Sequence, residues 1–348
     1  MLFDYVETDL NVQLLFGLAL GVFFGVAAQV SRFCLRRGVA GDDGADRPAL
    51  AVWLLALGTA MGAVQLATAT GFAELGEHRF LSSDLPVMAI VLGGLTFGAG
   101  MVLTRGCISR LTVLSATGNL RAATVLILFA LVAHAMMKGV LTPLRTGLSG
   151  FRVELPFGSF AALPGASVLI PLVVLGAALW LGHRSRARVL HLGLGAFIGL
   201  LIALGWVGTS TLLMDEFDPA PVQSLAFTLP WTDGLFWGIA STAVPAGFGV
   251  GLVGGVLLGA FLSAALRGEL ALVSFSDPRE TLRYVTGGAL MAAGGTLAGG
   301  CSVGAGLSGF STLGVLALLT LVSIILGAVA MRHMMSGNDA GRKLRSFA

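Results

Sequence analysis

The sequence predicts an all-α polytopic membrane protein of about nine transmembrane helices plus short dipping helices, arranged as an inverted 4+1+4 repeat. Three observations carry that reading. Of 348 residues, 56% are hydrophobic and only 11% charged, where soluble domains carry about 25% charge. No Asp, Glu, Lys or Arg occurs in 10–31, 48–73, 85–104, 155–183, 189–214, 234–266 or 284–331. Each stretch can supply a bilayer-spanning helix of about 20 residues, and the last can supply two. The third observation is a glycine-rich phrase closed by a cysteine. Gly93, Gly94, Gly100, Leu103, Gly106 and Cys107 return without a gap, 194 residues later, as Gly287, Gly288, Gly294, Leu297, Gly300 and Cys301. A rare residue placed twice at one spacing marks an internal repeat.

Composition narrows the class further. The net charge of +3 and pI near 9.1 suit basic cytoplasmic loops, and no soluble domain of a size to bind nucleic acid is expected. Asp4, Glu7 and Asp9 stand where a signal peptide would carry positive charge, so the first run is expected to stay in place. Three cysteines without a C-x-x-C pair argue against a disulfide framework or a zinc site. No metal or cofactor is expected.

Taken in order, segment 1 spans about 11–31 and ends at Ser31-Arg32-Phe33-Cys34. A polar stretch with Arg36, Arg37, Asp42, Asp43, Asp46 and Arg47 leads to segment 2, about 49–70. The loop after it is acidic, with Glu74, Glu77 and Asp84. Segment 3, about 86–103, runs into Cys107, and segment 4, about 122–141, carries His134 and Lys138. Segment 5, about 163–182, ends in the basic run His183 to Arg188. Segment 6, about 190–206, precedes Asp215, Glu216, Asp218 and Asp233. The run 234–266 is broken at Pro245, which predicts a dipping element at about 235–244 and then segment 7 at 248–266. Segments 8 and 9 follow at about 284–299 and 313–331.

Lys and Arg gather after segments 1, 5 and 7 and in the tail, which places those regions inside and the N-terminus outside. Segment 3 then runs inward and segment 8 outward, so the repeated phrase enters from opposite sides. The chain reads as one transporter domain over 1–348. Half one covers about 11–141, segment 5 is a connector, and half two covers about 190–333. In such repeats the substrate site lies near the midplane at their interface.

Glycine before the cysteines permits irregular backbone, which survives at membrane depth only when buried or lining a cavity. Freed N–H groups there can face an anion. Most of the 50 glycines need no more than close helix packing. Gly106 and Gly300, kept by the repeat, are assigned to the pathway with Cys107 and Cys301. A single buried cysteine reads as a small hydrophobe, and the matched pair reads as function. Cys34 rests on less, because the region after segment 6 holds no cysteine. Arg105, two residues before Cys107, is either a pathway charge or a side chain snorkelling to the inner surface. Arg32 stands in the same relation to Cys34. His134 and Lys138 receive no role.

Together these motifs resemble the YeeE/YedE family of sulfur transporters. Thr104-Arg105-Gly106-Cys107 and Ala298-Gly299-Gly300-Cys301 close the Gly-rich repeats, and Arg32-Phe33-Cys34 follows the first span. The likeness runs from about 12 to 333. It implies an hourglass of spanning and dipping helices with inverted pseudo-symmetry in the bacterial inner membrane. It also implies thiosulfate uptake, with the ion passed by S–H···S contacts along Cys34, Cys107 and Cys301. Ser336 to Ala348 is too short for the fused sulfur-carrier domain of some relatives, so a cytosolic acceptor is expected to be a separate protein. A carrier for another sulfur or selenium species is the alternative. A membrane thiol oxidoreductase is a further one, although it calls for paired cysteines that the sequence does not show.

Overall fold

The computed structural model describes residues 2–41, 45–76, 78–213, 221–242 and 245–345. Asp42, Asp43, Glu77, Asp215, Glu216 and Asp218, used in the charge pattern above, lie outside the described residues. The helices are α1 Leu2–Ser31, α2 Leu35–Ala40, α3 Arg47–Ala69, α4 Val87–Leu103, α5 Ile108–Ala116, α6 Leu120–Lys138 and α7 Thr142–Ser149. They continue as α8 Ala166–Arg184, α9 Val189–Val207, α10 Thr228–Ile239, α11 Phe248–Leu266, α12 Pro278–Leu297 and α13 Val315–Arg345. Short side chains start several of them: Asp46 accepts from the Ala49 N–H and Asn119 from the Ala122 N–H, both at 3.1 Å. Asp277 caps α12 ahead of Pro278 at its first position. The described sheet is minimal, with Asp84 opposite Glu154 and Leu85 opposite Val153.

Among the described residues, eight stretches are long and apolar enough to cross a membrane: Val12–Ala40, Arg47–Ala69, Val87–Ala116, Leu120–Lys138, Ala166–Arg184, Val189–Thr211, Phe248–Leu266 and Val315–Ser336. The chain is a multi-pass membrane protein. Segment 8 is present as α12, but Arg279, Glu280, Arg283 and two glycine pairs keep its composition below that of the other eight. On α8, Leu169, Leu172, Val173, Leu179 and Trp180 are each more than half exposed. Such a face suits hydrocarbon and not water.

One boundary moved. The dipping element expected at 235–244 is α10, which begins at Thr228 and ends at Ile239. Charge spacing started the element after Asp233, whereas Asp233 lies within the helix.

Glycine sets the helix contacts. Gly17, Gly21 and Gly25 on α1 face Gly251, Gly255 and Gly259 on α11, both at four-residue spacing. A Cβ on Gly21 would sit 2.3 Å from the Leu252 carbonyl oxygen, so the backbones touch. Successive contacts advance together along the two chains, and the pair is parallel. Between α4 and α12 the order is reversed. Gly93 meets Gly294, Leu297 and Ala298, while Gly287 meets Gly100, Leu103 and Thr104. Because 93 matches 287, 100 matches 294 and 103 matches 297, each contact is repeated with the two helices exchanged. A self-complementary antiparallel contact of this kind has the symmetry of a twofold axis.

Candidate functional site

Three helices end alike. The Phe33 N–H donates to the Ala28 carbonyl and the Gly106 N–H to the Met101 carbonyl, both at 3.1 Å. Between each pair stands a left-handed residue, Arg32 (φ 52°) and Arg105 (φ 57°), and α12 is followed by Gly299 at φ 75°. This is the geometry of a helix C-terminus closed by a left-handed residue. Two residues after each comes a cysteine. Cys34 and Cys107 sit in extended backbone as the N-caps of α2 and α5. Cys301 precedes a π-helical turn, Gly304–Gly309, and its Sγ accepts the Gly304 N–H at 3.3 Å. Each thiol therefore lies where one helix has stopped and the next exposes free N–H groups, a place of positive potential.

All three cysteines are free and buried. Cys34 and Cys107, 73 residues apart in sequence, come together with their thiols close enough to interact. The Cys107 Sγ also lies 3.2 Å from the Ser109 hydroxyl. Arg36 and Arg110 supply the positive charge felt by this pair, and the Arg110 Nη1 donates to the Ala28 carbonyl at 3.4 Å. Sequence reasoning missed their part. Its signal was available, since each lies in the first turn of the helix that a cysteine opens. Arg105, assigned to the pathway from sequence, and Arg32, which stands in the same relation to Cys34, have exposed side chains, while Gly106 is buried beside Cys107. His134 stacks on Phe236 with ring centres 5.0 Å apart.

Cys301 lies apart from the other two thiols. The α4–α12 contact puts Ala298 beside Gly93 and Thr104 beside Gly287, so the two repeated phrases end at opposite ends of the helix pair. A cavity of about 100 Å³ opens next to Cys301, lined by Gly300, Gly304, His78, Arg79, Trp206 and Thr228. A Cβ on Gly304 would lie 3.7 Å from the Cys301 Sγ and 3.1 Å from the Ala226 Cβ, so glycine keeps that wall thin. The His78 Nδ1 accepts the Phe80 N–H at 3.3 Å, which leaves the proton of the neutral ring on Nε2. Its ring stands edge-on to Trp206 at 4.9 Å. Burial and then the nearby Arg79 charge hold the His78 pKa down to about 4. Neither residue was singled out in the sequence. Their trace there is a basic pair in a loop whose other charges are acidic.

Broken helices in reciprocal contact, with buried thiols at the breaks and a cavity beside one of them, define a membrane transport protein as a class. More narrowly, the chain belongs to the sulphur transport family, whose sequence model matches residues 24–330. It is 27% identical over 331 residues to the thiosulfate transporter TsuA of Spirochaeta thermophila, covering 89% of this chain and 96% of that relative. With the thiosulfate transporter TsuA of Escherichia coli it shares 25% identity over 339 residues, covering 90% and 92% respectively.

Proposed function

We propose that this chain takes up thiosulfate across the bacterial inner membrane by a non-covalent relay along its thiols, as a carrier and not as an enzyme. The observation that carries the reading is the cavity walled by a neutral His78, the Arg79 cation, Gly300 and Gly304, the last of which donates its N–H to the Cys301 Sγ. The names of the two similar transporters support the substrate. The N-terminus is periplasmic and the C-terminus cytoplasmic. Residues 11–141 and 190–333 form inverted halves, joined by α8, and the reciprocal α4–α12 contact supports that division. The ion enters at the cavity, passes Cys301 and then reaches the Cys34–Cys107 pair. Gly106 and Gly300 shape the two breaks. Arg36, Arg110 and the exposed Arg105 make the inner half positive. A separate cytosolic sulfur-carrier protein receives the product.

Neutral thiols suit a dianion. A thiolate about 4 Å from one negative charge would oppose it by about 4 kcal/mol at an effective dielectric near 20. S–H groups avoid that cost and bind weakly, and a path of several weak sites releases what it takes in.

One observation favours a second reading. The structure brings Cys34 and Cys107 into contact, which meets the need for paired thiols that had argued against an oxidoreductase. Thiosulfate labelled at its outer sulfur, offered to proteoliposomes without any cytosolic protein, separates the two. Intact labelled thiosulfate inside the vesicles is the expected result. Labelled sulfide and sulfite released together, with Cys34 and Cys107 left joined as a disulfide, would show reduction by the thiol pair in place of a relay.

A further inference from the structure

The offset of 194 that joins Cys107 to Cys301 also joins Cys34 to Thr228. Phe33-Cys34-Leu35 falls on Phe227-Thr228-Leu229, and Gln29 falls on Gln223. Packing makes the same match. Helix α2 rests on α3, α4 and α13, whereas α10 rests on α11, α12 and α6. Exchanging each helix for its repeat partner turns one set of neighbours into the other. Cys34 opens α2, and Thr228 opens α10.

The Thr228 hydroxyl is buried, with the residue 4% exposed, and has no hydrogen-bond partner among the described residues. It lines the cavity beside Cys301. Other buried threonines satisfy their hydroxyls on the carbonyl four residues back, as Thr104 does on Gly100 and Thr232 on Thr228, both at 2.9 Å. Thr228 stands in the first turn of α10, where the helix offers no such carbonyl. A buried hydroxyl left unpaired costs free energy unless a ligand or water meets it. Its neighbour across the cavity is a glycine: a Cβ on Gly295 would lie 3.4 Å from the Thr228 Oγ1, in van der Waals contact, so the missing side chain leaves space beside the hydroxyl.

We propose that Thr228 is a fourth pathway residue, the outer counterpart of Cys34, whose hydroxyl donates a hydrogen bond to the transported anion in the cavity. The path then has two paired stations, Thr228 with Cys301 and Cys34 with Cys107. A hydroxyl donates more strongly than a thiol, so the station with the oxygen is the one that takes the ion from water. This inference rests on the functional reading above.

The test uses the full-length chain in proteoliposomes with radiolabelled thiosulfate. Thr228→Val keeps the shape and removes the donor, and it should raise the KM for uptake about ten-fold or more, as expected for a lost hydrogen bond to a charged ligand. Thr228→Ser should stay near wild type. In Thr228→Cys the introduced thiol should react with a small external thiol reagent, and thiosulfate should slow that reaction where chloride does not, read by mass spectrometry on the peptide carrying position 228. If the valine variant fails to insert, the serine and cysteine variants still decide. Wild-type uptake together with an unchanged KM in Thr228→Val, or with no protection in Thr228→Cys, overturns the inference alone. Wild-type vesicles that take up no thiosulfate overturn the functional reading and this inference with it.

Discussion

Arg105 and Gly299 occupy the same left-handed backbone conformation, φ 57° and 75°, each two residues ahead of a buried cysteine. The conformation is what a broken helix needs to turn its chain toward the next helix. Glycine adopts it freely, and an arginine there carries about 1–2 kcal/mol of strain. With glycine serving the same turn in the other half, Arg105 is a position where backbone and side chain can be tested separately.

Arg105→Gly separates backbone from charge. Its thermal stability should match or slightly exceed the wild type, because relief of strain offsets the greater freedom of glycine in the unfolded chain. Uptake of thiosulfate should nevertheless fall several-fold. Gly299→Ala should lose about 1 kcal/mol of stability for the opposite reason. Melting curves in detergent and vesicle uptake check both, and full uptake by Arg105→Gly would confine Arg105 to an interfacial role.

The contact between Cys34 and Cys107 predicts a chemical signature. Mild oxidation should join them in an intramolecular disulfide, leave Cys301 free and stop uptake, with recovery on reduction. Peptide mass mapping reads the linkage. Cys107→Ala should nearly abolish uptake while the protein still inserts, with Cys301→Ala next in severity and Cys34→Ala the mildest.

Close backbone contact between α4 and α12 leaves no room for a side chain. A Cβ on Gly100 would meet the Gly287 carbonyl oxygen at 2.5 Å, and one on Gly287 would meet the Leu103 Cβ at 2.7 Å. Gly100→Val should therefore force the helices apart and cost several kcal/mol, within the range of severe core overpacking. Gly62, which faces open space, should accept alanine with little change. Thermal melts of the purified variants compare the two.

His78 predicts a pH dependence with a definite sign. Its pKa falls from 6.5 to about 4 on folding, so between those values the unfolded chain binds more protons than the folded one. Stability contributed by the neutral ring is present above 6.5 and is lost as pH falls toward 4, by at most about 3 kcal/mol and less because the ring is partly exposed. A bound dianion reverses the preference, since it favours the imidazolium. Thiosulfate should therefore raise the melting temperature more at pH 5 than at pH 7, and His78→Gln should remove the difference. An equal effect at both pH values would place the anion away from His78.

Sequence alone determined the class of this protein. Charge-free runs and the Gly–Cys phrase repeated at 194 residues gave a polytopic helical protein with a doubled core, because spanning length and close helix approach are properties of local composition. The places where helices stop were legible for the same reason, as glycine and cysteine mark them in the chain itself. Tertiary structure decided which charges matter. Arg105 and Arg36 are both near a cysteine in sequence, but only Arg36 is buried at the thiol pair. The meeting of Cys34 with Cys107, and of His78 and Thr228 with Gly300 around one cavity, depends on packing between helices far apart in the chain. Sequence periodicity sets which face a helix buries, and it does not set which other helix that face will meet.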